Sequence, residues 1–127
     1  MANTVQINEL AEAIQNELEM YSEEVNENLM YAADIVSKQL VEDIREDSPS
    51  SEKGNYKKNW TRRRNNHSYI VYNKKYGWLT HLLEFGHLLR NGKRLNGKPH
   101  ILKNAKRAAE TYEDMAVGVI SEGVRYK

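Results

Sequence analysis

The sequence predicts an α+β fold: a long N-terminal helix, a small antiparallel β-hairpin or sheet, a short central helix and a C-terminal helix packed together. Three observations predict it. Apolar residues recur at spacings of three or four over positions 5–46 and again over 101–122, the period of an amphipathic helix. Between them, Tyr69-Ile70-Val71-Tyr72 is a run of strand formers that follows the turn-like pair Asn65-Asn66. At 127 residues the chain can bury one modest core. A single domain over 1–127 is therefore expected, with 1–47 as a long acidic helix able to project and 48–127 as a basic α+β portion.

The first helix is carried by Ile7, Leu10, Ile14, Leu18, Tyr21, Val25, Leu29, Ala32, Val36, Leu40 and Ile44, which fall on one stripe. Continuous, it would run roughly 60 Å at 1.5 Å per residue. It either projects to meet a partner or breaks near Ser22, where Ser-Glu-Glu could cap a second helix. Asp47-Ser48-Pro49 ends it, because the residue before a proline disfavours helical dihedrals. Residues 48–55 are a loop by composition. Tyr56 to Asn73 then read as two short strands around Asn65-Asn66. A hairpin alone is marginal and must pack on a helix or join other strands. Tyr76 to Phe85 is the central helix, buried through Leu79, Leu82, Leu83 and Trp78 and stopped by Gly86. His87 to Pro99 reads as a basic, glycine-punctuated loop, and the last helix covers about Ile101 to Glu122.

The net charge of +1 conceals a division. Residues 1–50 hold twelve acidic and two basic side chains, and residues 51–127 hold six acidic and seventeen basic ones. The acidic helix could lie against the basic part of its own chain, or face the basic part of the next copy; nucleic acid beside the basic half is the third use. There is no cysteine, so disulfides, thiolate nucleophiles and Cys-based zinc sites are excluded, in keeping with synthesis in the cytosol. No apolar run of eighteen residues exists, so no membrane partner is expected, and the N-terminus has neither the basic start nor the apolar stretch of a secretory signal.

Three groups of residues could carry chemistry. His81, Glu84 and His87, with His100 near, could supply metal ligands. Their order is His-x-x-Glu-x-x-His, whereas hydrolytic zinc sites use two histidines four apart with a glutamate beside the first. The alternative, that these groups hydrogen-bond the local loop, is preferred. No serine sits in a nucleophile elbow, and no phosphate-cradling or dinucleotide glycine pattern is present. The expectation is a non-enzyme with no catalytic, metal or cofactor site. Lys57, Lys58, Arg62, Arg63, Arg64, Lys74 and Lys75, interleaved with Tyr56, Trp60, Tyr69, Tyr72 and Tyr76, could hold a nucleic acid strand by phosphate contact and stacking. A DNA-binding accessory module is thus the alternative reading.

Three blocks carry a resemblance to a known family. The first is the N-terminal helix running into Ser48-Pro49, followed by Gly54-Asn55-Tyr56-Lys57-Lys58-Asn59-Trp60. The second is Leu79-Thr80-His81-Leu82-Leu83-Glu84-Phe85-Gly86-His87. The third is Gly97-Lys98-Pro99-His100-Ile101 followed by Ala105. In order and spacing, over roughly residues 30–122, they resemble the tail-component and head–tail connection proteins of long-tailed phages. The extended N-terminal helix and the basic segment Leu88–Lys98 depart from that pattern. The resemblance implies a virion structural protein of the neck or tail, made in the host cytoplasm and active in head–tail joining or tail completion. Its expected partners are further copies of itself in a ring, neighbouring connector, tail-terminator or tail-tube proteins, and at most incidental DNA. It also implies that Leu79, Leu82, Leu83 and Phe85 pack, with Pro99, His100 and Ile101 leading into the last helix. Gly86 then meets a backbone requirement, and Glu84 is a structural acid capping the loop or pairing with a base.

Overall fold

The computed structural model describes residues 7–50, 54–66 and 68–127, without the side chains of Ile7 and Asn8. The expected helix start at position 5, the Ile7 side chain, loop positions 51–53 and His67 lie outside the described residues. The elements are α1 (Ile7–Asp47), α2 (Asn55–Lys58), β1 (Trp60–Arg64), β2 (Tyr69–Asn73), a 3₁₀ turn (Gly77–Leu79), α3 (Thr80–Phe85), β3 (Gly86–Leu88), β4 (Arg94–Asn96) and α4 (Leu102–Glu122). The fold is α+β, as the sequence predicts.

Helix α1 is one uninterrupted element of 41 residues, about 60 Å long. No glycine or proline falls inside it, and it does not break at Ser22. At its end the Ser48 hydroxyl donates to the Ile44 carbonyl, taking one of the last-turn acceptors. Helix α4 runs antiparallel along α1. At one end Asn104 donates to the Asp47 carboxylate at 2.9 Å. At the other, Tyr21 Oη donates to the Ile120 carbonyl at 3.4 Å. Beyond α4, the amide of Asn28 straps residues 124–126 onto α1: its nitrogen donates to the Val124 carbonyl and its oxygen accepts from the Tyr126 N–H. Residues 7–20 of α1 continue past this cover by about 21 Å. No helix among the described residues is long and apolar enough to cross a membrane.

The core sits at the far end of α1. Ile44, Tyr56 and Trp60 are buried there, with Leu40, Val71, Tyr76, Leu83 and Ile101 packed around them. Tyr56 meets Trp60 edge to face at 5.9 Å, the geometry aromatic quadrupoles favour. Antiparallel β1–β2 pairs Trp60 with Asn73 through Arg64 with Tyr69. Period-two alternation sends Trp60 inward and aims Arg62, two residues on, at α1.

The structure corrects four expectations. Residues Tyr56–Lys58 form one helical turn, α2, rather than the start of a strand. Gly54 at φ 63 turns the chain into it. The central helix begins as the 3₁₀ turn. The segment from His87 to Pro99 is not a plain loop but holds a second antiparallel hairpin, β3–β4, pairing His87 with Leu95. It is closed by Leu89 N–H donating to the Lys93 carbonyl. Finally, Trp78 and Phe85 are not buried: they are 67% and 58% exposed. Six residues make fewer than two turns, so α3 has one inward face. That face carries Leu83 and Glu84, and Phe85 is turned a further 100° towards solvent.

Candidate functional site

Glu84 is the buried centre of the region that the second and third sequence blocks build. Its carboxylate accepts three backbone N–H groups at the start of α4: His100 at 2.9 Å, Ile101 at 2.8 Å and Leu102 at 3.2 Å. These are the donors a helix start leaves without partners, and the positive end of the helix dipole favours the negative charge. Burial pushes the Glu84 carboxyl up, but the three N–H groups and nearby His100 outweigh it and hold it below its ordinary value.

His100 is fully buried. Its Nδ1 lies 2.7 Å from the Lys98 carbonyl and 3.1 Å from Glu84 Oε2. Two acceptors beside Nδ1 place the proton there, so Nε2 accepts from the Tyr56 hydroxyl at 2.7 Å. Burial, with the Glu84 charge adding to it, pushes the Tyr56 phenol up to about 12, which keeps it a donor. Asn104 then ties the His100 carbonyl (2.9 Å) to Asp47 on α1. The chain Glu84–His100–Tyr56 and Asn104–Asp47 fixes α3, α4, α2 and the end of α1 relative to one another. Tyr56→Phe leaves the buried His100 Nε2 without its donor and should lower unfolding free energy by about 1–2 kcal/mol in urea denaturation.

The arrangement does not assemble a metal site. Both Glu84 oxygens are engaged by backbone donors, His81 points to solvent, and His100 is enclosed by its own partners. Among the described residues no three His, Cys, Asp or Glu side chains converge as ligands.

The basic residues separate into two groups. Lys58, Arg63, Arg64, Lys74 and Lys75 are exposed and Lys57 half-buried, and the Arg63 guanidinium lies 5.8 Å from the Tyr72 ring centre. Arg62 is instead turned onto α1. Its Nη1 donates to Asp34 Oδ1 at 2.6 Å, the Asp34 carbonyl at 3.1 Å and Ser37 Oγ at 2.9 Å, and its guanidinium covers Tyr69 at 4.8 Å. The Arg62 hydrogen bond holds the Asp34 carboxyl below its ordinary value. The period-two spacing from Trp60 was the signal in the sequence for this. The Asp34 side chain is 44% exposed, so Arg62→Ala should cost only about 1 kcal/mol. The difference from wild type, read by urea denaturation, should shrink at high salt.

Among the described residues, exposed large apolar side chains gather most clearly on two faces. Along the free end of α1, Leu10, Ile14, Leu18 and Tyr21 are each more than half exposed. At the other end, Trp78, Phe85, Leu88 and Leu95 are exposed around α3 and β3–β4.

Residues 12–86, more than half of the chain, match the family described as "Bacteriophage HK97-gp10, putative tail-component". The chain belongs to this family. It is a bacteriophage tail component, and its role in the tail is structural. The matched residues take in α1 from position 12, extending the family over the long helix that the sequence pattern marks as a departure, together with β1–β2 and α3 up to Gly86. The block Gly97–Ala105 lies beyond them. No curated protein and no solved structure matches the chain. In this tail component Glu84-Phe85-Gly86 makes a helix cap, an exposed ring and a tight backbone crossing.

Proposed function

We propose that this tail component works at the neck of the virion, in head–tail joining or tail completion, as a subunit of a ring around the phage axis. The observation that supports this reading best is the pair of uncovered faces on a chain of the tail-component family. One lies on a projecting acidic helix and the other on a basic hairpin, and each needs a protein neighbour. The buried Glu84, His100 and Tyr56 of the candidate site are engaged in hydrogen bonds that hold elements together, which suits a building block. The reading is tested by a nonsense mutation in the gene. Electron micrographs of the lysate should then contain filled heads and separate tails that fail to join. Normal infectious virions from that lysate would refute it.

The alternative, a DNA-binding accessory module, has Arg63 over Tyr72 and exposed Arg64, Lys74 and Lys75 in its favour. Any such binding should fall steeply with salt and be lost in Arg63→Ala/Arg64→Ala. Retention of affinity in that variant, measured by fluorescence anisotropy with duplex DNA, would exclude the patch.

A further inference from the structure

The two uncovered faces differ in charge as well as position. Residues 7–37 hold eight acidic side chains and no basic one. Residues 74–107 hold nine basic side chains and one acid, Glu84, and that acid is buried and engaged. The apolar residues of each face therefore stand in a field of one sign. The faces also lie at opposite ends of the molecule. Leu83 and Ile101 pack on Ile44, and Lys98 Nζ reaches the Ser48 carbonyl at 3.5 Å, so the β3–β4 end sits where α1 finishes. From Leu10 to Ile44 along a continuous helix is about 50 Å. One protomer cannot fold its own free helix end onto its own hairpin. Between the acidic and basic halves of a single chain the ion pairs among the described residues are Arg62–Asp34 and Lys103–Asp47, and neither reaches the first four turns of α1.

We propose that the free end of α1, through Leu10, Ile14 and Leu18, seats on the β3–β4 and α3 face of a second copy, through Trp78, Phe85 and Leu88. This names the contact within the ring reading above and rests on it. Charge selects this pairing over the others. Two α1 ends side by side would set glutamates 9, 12, 17, 19, 23 and 24 against their equals, and two hairpin ends would oppose Arg90, Lys93 and Arg94 with themselves; like charges brought together in an interface are disfavoured. Helix end on hairpin end joins apolar to apolar and acid to base. It is a heterologous contact, which leaves the pair with one free helix end and one free hairpin, so it propagates until a ring closes.

The test uses the full chain in sedimentation velocity across a concentration series, with circular dichroism on every variant. Wild type should self-associate. Ile14→Gln/Leu18→Gln and Trp78→Gln/Leu88→Gln, all at exposed positions, should each weaken association at least about 30-fold, the factor that corresponds to losing an interface anchor of 2 kcal/mol. Mixed, the two variants should form a heterodimer that grows no further, because one retains a working helix end and the other a working hairpin. Should a double variant unfold, Glu17→Lys and Lys93→Glu carry a second test: each alone weakens association, and the mixture restores it, because reversed helix end meets reversed hairpin and wild-type helix end meets wild-type hairpin in alternating copies. Association that survives the hairpin variants overturns this contact and leaves the ring reading standing. A wild-type chain monomeric throughout also overturns it, and the ring reading is then judged by the lysate micrographs.

Discussion

Glu84→Ala should lower the unfolding free energy by about 3–5 kcal/mol, read as a shift of the urea midpoint. The carboxylate satisfies three N–H groups at the head of α4. Alanine leaves them without an acceptor, and each unmet buried donor costs about 1–3 kcal/mol. The sum is less than three full penalties because Leu102 is exposed and its N–H can turn to water. Glu84→Gln should cost less, about 2 kcal/mol, since one oxygen still accepts while the charge is lost. The same site sets a pH dependence. The folded Glu84 carboxyl titrates below its ordinary value, so its contribution is complete above the unfolded carboxylate range, near pH 4.3. It is lost as pH falls through the lower, folded value. The gap between wild type and Glu84→Gln should accordingly stay constant from neutrality to about pH 5 and narrow on further acidification. A gap that widened with acid would contradict the assignment of the three donors.

Gly86→Ala should cost about 3 kcal/mol or more, and Gly97→Ala a comparable amount, for related reasons. The two glycines cross where α3 gives way to β3 and β4 leaves towards α4. A Cβ on Gly86 would stand 2.2 Å from the Leu95 carbonyl oxygen and 2.7 Å from Gly97 N. A Cβ on Gly97 would stand 2.3 Å from the Glu84 carbonyl oxygen. These neighbours are backbone and cannot swing away, so the hairpin must separate from α3. Gly86 carries the further strain of φ 81, worth about 1–2 kcal/mol for a residue with a side chain. Gly92→Ala is the control: its φ is 83 but no atom approaches the added methyl, so only that backbone strain should appear. Thermal unfolding of the three variants separates steric from conformational cost. Equal losses at positions 86 and 92 would remove the crossing from the account.

Sequence period made the large helices and the first hairpin legible. Nothing interrupts α1 in sequence, and nothing interrupts it in space. The strand formers Tyr69–Tyr72 hydrogen-bond across from Thr61–Arg64 as their chemistry requires. The second hairpin escaped because its strands are three residues long. Leu88 to Asn96 also alternates too little, and is too basic, to signal a sheet. It is held by a glycine crossing and by Arg94 reaching the Phe85 carbonyl at 2.9 Å, neither of which has a period. Residue α2 Tyr56 was legible as an aromatic, but its partnership with His100, 44 positions away, has no local trace. Trp78 was expected inside as a large apolar side chain of the helix, and Phe85 through the family resemblance. Phe85 lies outside because α3 spends its inward face on Leu83 and a carboxylate. For Glu84 a structural role could be read from the order of the blocks, while its three donors could only be seen in space.

The strap across Asn28 has a temporal consequence. The groups that cover the middle of α1 lie some eighty positions further along the chain than its last residue, Asp47: the strap ends at Tyr126. At a synthesis rate of about 5–20 residues per second, α1 leaves the ribosome roughly 4–16 s before its cover exists. During that interval the middle of its greasy seam is bare, and neighbouring nascent chains on one messenger present the same stretch. The glutamates that crowd the outer turns repel such sister helices until the later residues arrive, so the acidity of the helix guards the unfinished polypeptide from clumping.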